Sequence, residues 1–157
     1  MSSSGKLKSA TPKIKNASVV VIRTEWNALI VDELFAGCKK VLDKGKIDYT
    51  DYRVPGAIEI PFAINKYWER AGKKKPEAFI ALGCVIKGDT PHFEYVCRSV
   101  TDGITALNLT LPVPVIFGVL TVNTEDQAKE RIGGIHGHKG EEAADAALKM
   151  ISFSRSL

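Results

Sequence analysis

The sequence predicts an α/β fold, a three-layer α/β/α sandwich on a four-stranded parallel sheet, and three observations point there. Apolar runs without polar alternation stand at 17–23 (ASVVVIR), 79–82 (FIAL) and 114–120 (PVIFGVL), the composition of strands buried on both faces. Between them lie segments whose apolar residues recur at three-and-four spacing, the mark of helices with one buried stripe. Strand and helix alternate four times, which calls for right-handed crossovers and helices on both sides of the sheet.

Taken in order, 1–12 is polar and Ser/Lys-rich and reads as a flexible arm, with one domain over 13–157. Strand 17–23 leads directly into Trp26 and Asn27. A helix follows over 28–44 and stops at Gly45. Segment 47–53 alternates, so it is a strand nearer a sheet edge. Pro55-Gly56 marks a turn, after which a helix runs over 59–71 to Gly72. Strand 79–82 opens a loop at 87–92, where Thr90 suits an N-cap and Pro91 the first helical position. The next helix carries Phe93, Val96, Cys97, Val100, Ile104 and Leu107 on one side. After strand 114–120, Thr124 and Gln127 form a capping box for a short helix through 131. Gly133-Gly134-Ile135-His136-Gly137 breaks it, and a last helix spans 139–152.

Composition narrows the function classes. The net charge of +4 is mild, partly from Lys6, Lys8, Lys13 and Lys15, and no basic stripe with interleaved aromatics suggests nucleic acid. Cys38, Cys84 and Cys97 are an odd number without metal or disulfide spacing, so reduced packing thiols in a cytoplasmic protein are expected. No apolar stretch reaches membrane-spanning length.

In parallel α/β sheets, ligands bind outside the carboxyl ends of the strands. Those ends carry Trp26-Asn27, Ala57-Ile58-Glu59, Cys84-Val85-Ile86 with the loop to His92, and the stretch from Phe117 to Asn123. A flat polar aromatic ligand and a small anion suit them. The loop feeding a helix N-terminus offers free backbone N–H groups to an anion, and His92 stands in the first helical turn beside it. Alone, such a loop with one histidine is as readily structural as catalytic.

Several segments together are more specific. VPGAIEIP (54–61), ALGCVIKGDTPHFEYV (81–96), PVIFGVLT (114–121), QAKER (127–131) and Lys139-Gly140 resemble the 6,7-dimethyl-8-ribityllumazine synthase family, in one order from Lys13 to the C-terminus. The resemblance implies a flavodoxin-like fold and a transferase of riboflavin biosynthesis without metal or organic cofactor. It joins 5-amino-6-(D-ribitylamino)uracil to 3,4-dihydroxy-2-butanone 4-phosphate. It also implies small-molecule substrates and a homo-oligomer, a pentamer, with a shell of twelve pentamers preferred over a free one.

By the same resemblance, Trp26 stacks on the pyrimidine and Asn27 lies in the same subsite. Ala57, Ile58 and Glu59 line the ring and ribityl chain, and Cys84, Val85 and Ile86 give backbone contacts. Phe117 closes the pocket from a neighbouring subunit, and Lys139 faces the ring or ribityl region. Asp89, Thr90 and Arg131 hold the phosphate, Arg131 by its bidentate fork. His92 is the catalytic proton carrier. Plain alternatives stand beside these roles: Trp26 and Phe117 as packing aromatics, Glu59 as a helix-start acid, Arg131 as a helix-end cation. The chain departs from the family at Glu25, Lys87, Asp89 and Ile135. Two other readings compete, a flavin- or lumazine-holding module without turnover and a shell protein with a decayed site. The presence of His92, Thr90 and Arg131 weighs against both.

Overall fold

The structure, a computed structural model, describes residues 9–157. The arm expected over 1–12 therefore falls mostly outside the described residues. Its end, 9–12, lies along the last helix: Lys149 donates to the Ser9 carbonyl at 2.9 Å, and the Thr11 hydroxyl to Asp145.

The elements are β1 (Ser18–Thr24), α1 (Ala28–Lys44), β2 (Asp48–Val54), a 3-10 turn (Ala57–Glu59), α2 (Ile60–Arg70) and β3 (Ala78–Ile86). Then follow α3 (His92–Thr110), β4 (Val115–Val122), α4 (Glu125–Lys129), β5 (Ile132–Gly134), β6 (Gly137–His138) and α5 (Lys139–Ser156). β1 to β4 form one all-parallel sheet in the order β2-β1-β3-β4. Side chains alternate across each strand, so β1 supplies two cores. Val19 and Val21 pack with Leu34 and Leu42 of α1 and Ala144, Leu148 and Ile151 of α5. Val20 and Ile22 pack with Ile60 and Ile64 of α2 and Val100 and Ile104 of α3. The flavodoxin-like three-layer sandwich follows, with the alternating strand β2 at one edge.

Several expectations shift. The helix placed at 59–71 opens with the 3-10 turn and is α-helical only over Ile60–Arg70. Pro91, not Thr90, is the cap of α3, because Glu94 N–H reaches only back to the Pro91 carbonyl, 3.0 Å away. Thr90 still accepts from His92 N–H, at 3.4 Å. The helix drawn through 131 ends at Lys129, and the glycine-rich break folds into the small β5–β6 hairpin. Gln127 N–H donates to Thr124 Oγ1 at 3.3 Å, but the Gln127 side chain reaches back to Asn123 N–H at 2.8 Å rather than to Thr124.

Burial holds two thiols neutral: Cys38 is pushed up to about 12 and Cys84 to about 11, with Glu125 adding to the second. The unfolded thiols ionise near 9.0, so below that pH both states keep their protons and these groups add no pH dependence. Above it only the unfolded chain sheds them, and stability falls by about 1.4 kcal/mol per pH unit per thiol until the folded pKa is reached. A urea midpoint that drops between pH 9 and 11, less so in Cys38→Ala, is the expected result. At pH 8, iodoacetamide is expected to label half-buried Cys97 well before the other two.

Candidate functional site

At the carboxyl ends of β1 and β2, the polar backbone is tied by two bonds beyond the ladder. Glu25 N–H donates to the Val54 carbonyl at 2.9 Å and Trp26 N–H to the Pro55 carbonyl at 3.1 Å. The chain then turns sharply into α1 through Asn27, which is left-handed at φ 57° and ψ 43°. Asparagine tolerates that region better than most residues. Its amide also bridges to β3, donating to the Cys84 carbonyl at 2.8 Å.

That bond spans the switch point of the sheet. From β1 the chain crosses to β2 on one side, and β3 then returns to the other side of β1. The diverging crossovers leave a crevice at the strand tips. Beside it, Glu25, Trp26, Asn27 and Pro55 line an open hollow of about 270 Å³. Trp26 is 74% exposed, an indole held in solvent rather than in the core. It therefore takes no part in the core of its own chain. A Cβ on Gly56 would stand 3.2 Å from Glu59 Oε2 and 3.4 Å from Trp26 Cδ1. Gly56 is extended, at φ −149°, so its small size rather than a turn conformation lets Trp26 and Glu59 approach each other.

The other tip residues differ in depth. Ala57 is buried and Ile58 exposed at the 3-10 turn, while Cys84 is buried and Val85 and Ile86 are half-buried at the end of β3. Lys87 N–H is held by the Val122 carbonyl at 2.9 Å, and Asp89, Thr90 and His92 follow as exposed residues at the start of α3. The tips thus bring Trp26, Asn27, Glu59 and Cys84 together, with the 87–92 loop leaving β3 beside them.

Of the expected residues only Trp26 and Asn27 line the hollow itself, and three of the others are set by elements away from β1, β2 and β3. Phe117 does not lie at a strand tip: it pairs in register with Ala81, well before the ends of β3 and β4. It is 41% exposed on the edge strand. Arg131 donates to the Gln127 carbonyl at 2.8 Å, as a cation closing a helix end does. Lys139 Nζ meets both Glu142 oxygens, at 2.8 and 3.1 Å. The hairpin places these two cations side by side, with Lys139 N–H donating to the Arg131 carbonyl at 2.8 Å. Conversely, Glu25 and Pro55 line the hollow and were not expected there. The position of Glu25 directly before Trp26 was the only sequence signal for it.

A crevice at the switch point of a parallel α/β sheet, with an exposed indole beside it, defines an α/β protein that holds a small molecule at its strand tips. The class narrows on comparison: a model of the 6,7-dimethyl-8-ribityllumazine synthase family matches residues 16–155. The chain belongs to that family, whose members are transferases of riboflavin biosynthesis. It is 42% identical to the synthase of Parabacteroides distasonis over 92% of this chain and 91% of that one. The synthase of Bacteroides fragilis is 45% identical over 87% and 96%, and that of Porphyromonas gingivalis 44% over 93% and 91%. No helix among the described residues is long and apolar enough to cross a membrane.

Proposed function

We propose that the hollow at the strand tips is the pyrimidine half of the site where this transferase makes 6,7-dimethyl-8-ribityllumazine. Its substrates are 5-amino-6-(D-ribitylamino)uracil and 3,4-dihydroxy-2-butanone 4-phosphate, and phosphate and water are released. The observation that carries this is the Asn27 amide bridging to Cys84 at the switch point, with Trp26 open beside it. Trp26 offers the ring a flat face. Ala57, Ile58 and Glu59 follow the ribityl chain, and the backbone of Cys84, Val85 and Ile86 reads the ring edge. Asp89 and Thr90 meet the phosphate with backbone N–H groups at the start of α3.

Phe117, Arg131 and Lys139 serve a neighbouring copy's site. An exposed phenylalanine in mid-strand and two cations flanking one hairpin support this, since none of them ends or follows β1, β2 or β3, whose tips frame the hollow. The resulting assembly is a homopentamer, with a shell of twelve pentamers preferred, working in the cytoplasm. Residues 13–157 act in it as one domain. A native mass of five or sixty chains is the expected result, and a monomer that turns over would overturn the shared site.

The chemistry is attack of the 5-amino group on the ketone, loss of water to an imine, β-elimination of phosphate, ring closure and a second dehydration. His92, beside the phosphate, takes and returns the protons these steps move. Holding two substrates in one crevice supplies much of the remaining acceleration. His92→Ala is therefore expected to lower kcat about ten- to a hundredfold, with either KM changed less than about threefold. Lumazine absorbance from the two substrates tests the whole reading. Tight flavin binding without that absorbance would favour a binding module instead.

A further inference from the structure

Arg23 interrupts the apolar face of β1. Val19 and Val21 enter the core against α1 and α5, and Arg23 continues that face as a cation whose side chain is only 12% exposed. Its Nε and Nη2 both lie 2.7 Å from Asp51 Oδ2, and its Nη1 lies 2.7 Å from Asp32 Oδ1. The guanidinium also covers the Phe35 ring, 4.2 Å from its centroid. The same Asp32 oxygen takes a second cation, Arg53 Nη2 at 3.2 Å. Withdrawing a guanidinium from water is costly, and an apolar side chain packs such a face without that cost. Stability is a poor account of the cluster. Its place in the fold is a better one.

Arg23 stands just before the Trp26–Asn27 turn and Asp32 just after it, so their pair closes that turn from both sides. Arg53 faces Arg23 in the β1–β2 register, and beyond it Pro55 accepts the Trp26 N–H. One carboxylate oxygen of Asp32 therefore holds the end of β1, the end of β2 and the start of α1 at once. The strained left-handed Asn27 lies inside that frame.

We propose that Asp32 is a positioning residue for the pyrimidine half of the site, fixing the Trp26 platform relative to Pro55 through its two arginine contacts. This rests on the reading of Trp26 as that platform. Asp32 is 47% exposed, so its pairs are individually modest and act on fit more than on fold. A small displacement of the platform weakens the hold on the ring. The 87–92 loop begins beyond the Asn27 contact at Cys84 and is not among the segments that the Asp32 oxygen joins.

Steady-state kinetics of the assembled protein, varying each substrate in turn, test this with Asp32→Asn, which keeps the shape and removes the charge. The pyrimidine KM is expected to rise about five- to tenfold, with kcat and the phosphate-ester KM within about twofold of wild type. Arg53→Gln, which removes only the second contact, is expected to give the same split at smaller size. Glu77→Gln breaks another partly exposed pair, with Arg155 at 2.6 Å next to the amino end of β3, and is expected to leave both KM values unchanged. The proposal is overturned if Asp32→Asn leaves the pyrimidine KM within twofold of wild type, raises both KM values alike, or is matched by Glu77→Gln. Trp26→Ala separates the two failures. If it too leaves the pyrimidine KM unchanged, the platform reading is at fault; if it raises that KM while Asp32→Asn does not, only the positioning role falls.

Discussion

Gly140→Ala is expected to lower this protein's melting point sharply. Gly140 lies in the first turn of α5, where the helix crosses α1. A Cβ there would stand 1.9 Å from the Leu34 carbonyl oxygen and 2.7 Å from its carbon. Both atoms are backbone in the middle of a helix, so no rotamer change relieves the contact. The helices must separate, and they jointly bury Leu34, Cys38, Leu42, Ala144, Ala147 and Leu148. Such overpacking costs about 3 kcal/mol or more. For a domain of this size that lowers Tm by roughly 6–12 °C.

Two controls make the reason specific. Gly37→Ala, on α1, would meet the His138 imidazole first, at 2.1 Å, and a side chain moves more readily than a backbone. Its loss should be smaller, reflecting displacement of the His138 cap on Glu141 N–H. A Cβ on Gly88 meets nothing within 4 Å, so Gly88→Ala should not change Tm. Thermal melts of the three variants check the order. A Gly140→Ala protein melting like wild type would mean that α1 and α5 do not cross at this glycine.

Trp26→Ala should have the larger effect on binding. Stacking of a base on an aromatic side chain contributes about 1–3 kcal/mol, so the pyrimidine KM should rise roughly ten- to a hundredfold. Because the indole is 74% exposed, Tm should barely move, and that separates binding from packing. The phosphate-ester KM should hold, since the proposed site puts the phosphate at the loop before α3 and at Arg131. Trp26→Phe, which keeps an aromatic face, should recover most of the loss. An unchanged pyrimidine KM in the alanine variant would move the ring to another part of the crevice.

Much of the candidate site's place in the fold was legible along the chain. Asn27, Cys84 and His92 follow directly from the rule that ligands sit at the carboxyl ends of parallel strands, because each ends or follows an apolar run, whereas Glu59 follows the alternating strand β2 and its turn. The errors share one cause. Phe117 is part of the run at 114–120, and composition alone could not show that β4 continues to Val122, leaving Phe117 in mid-strand. Gly56 read as a turn glycine, while its use is space between two side chains. The glycine-rich break at 133–137 hid a hairpin whose pairing depends on its neighbours.

By itself the sequence determined the types of the main elements, their parallel arrangement and most of the residues at the tips, since hydrophobic period and turn chemistry are properties of adjacent residues. The order β2-β1-β3-β4 was decided only in three dimensions. So were the Asn27 bond to a carbonyl 57 residues away, the double arginine contact of Asp32 and the glycine crossing of α1 and α5. Each depends on register and close approach between distant segments, which side-chain packing sets and local propensity does not encode.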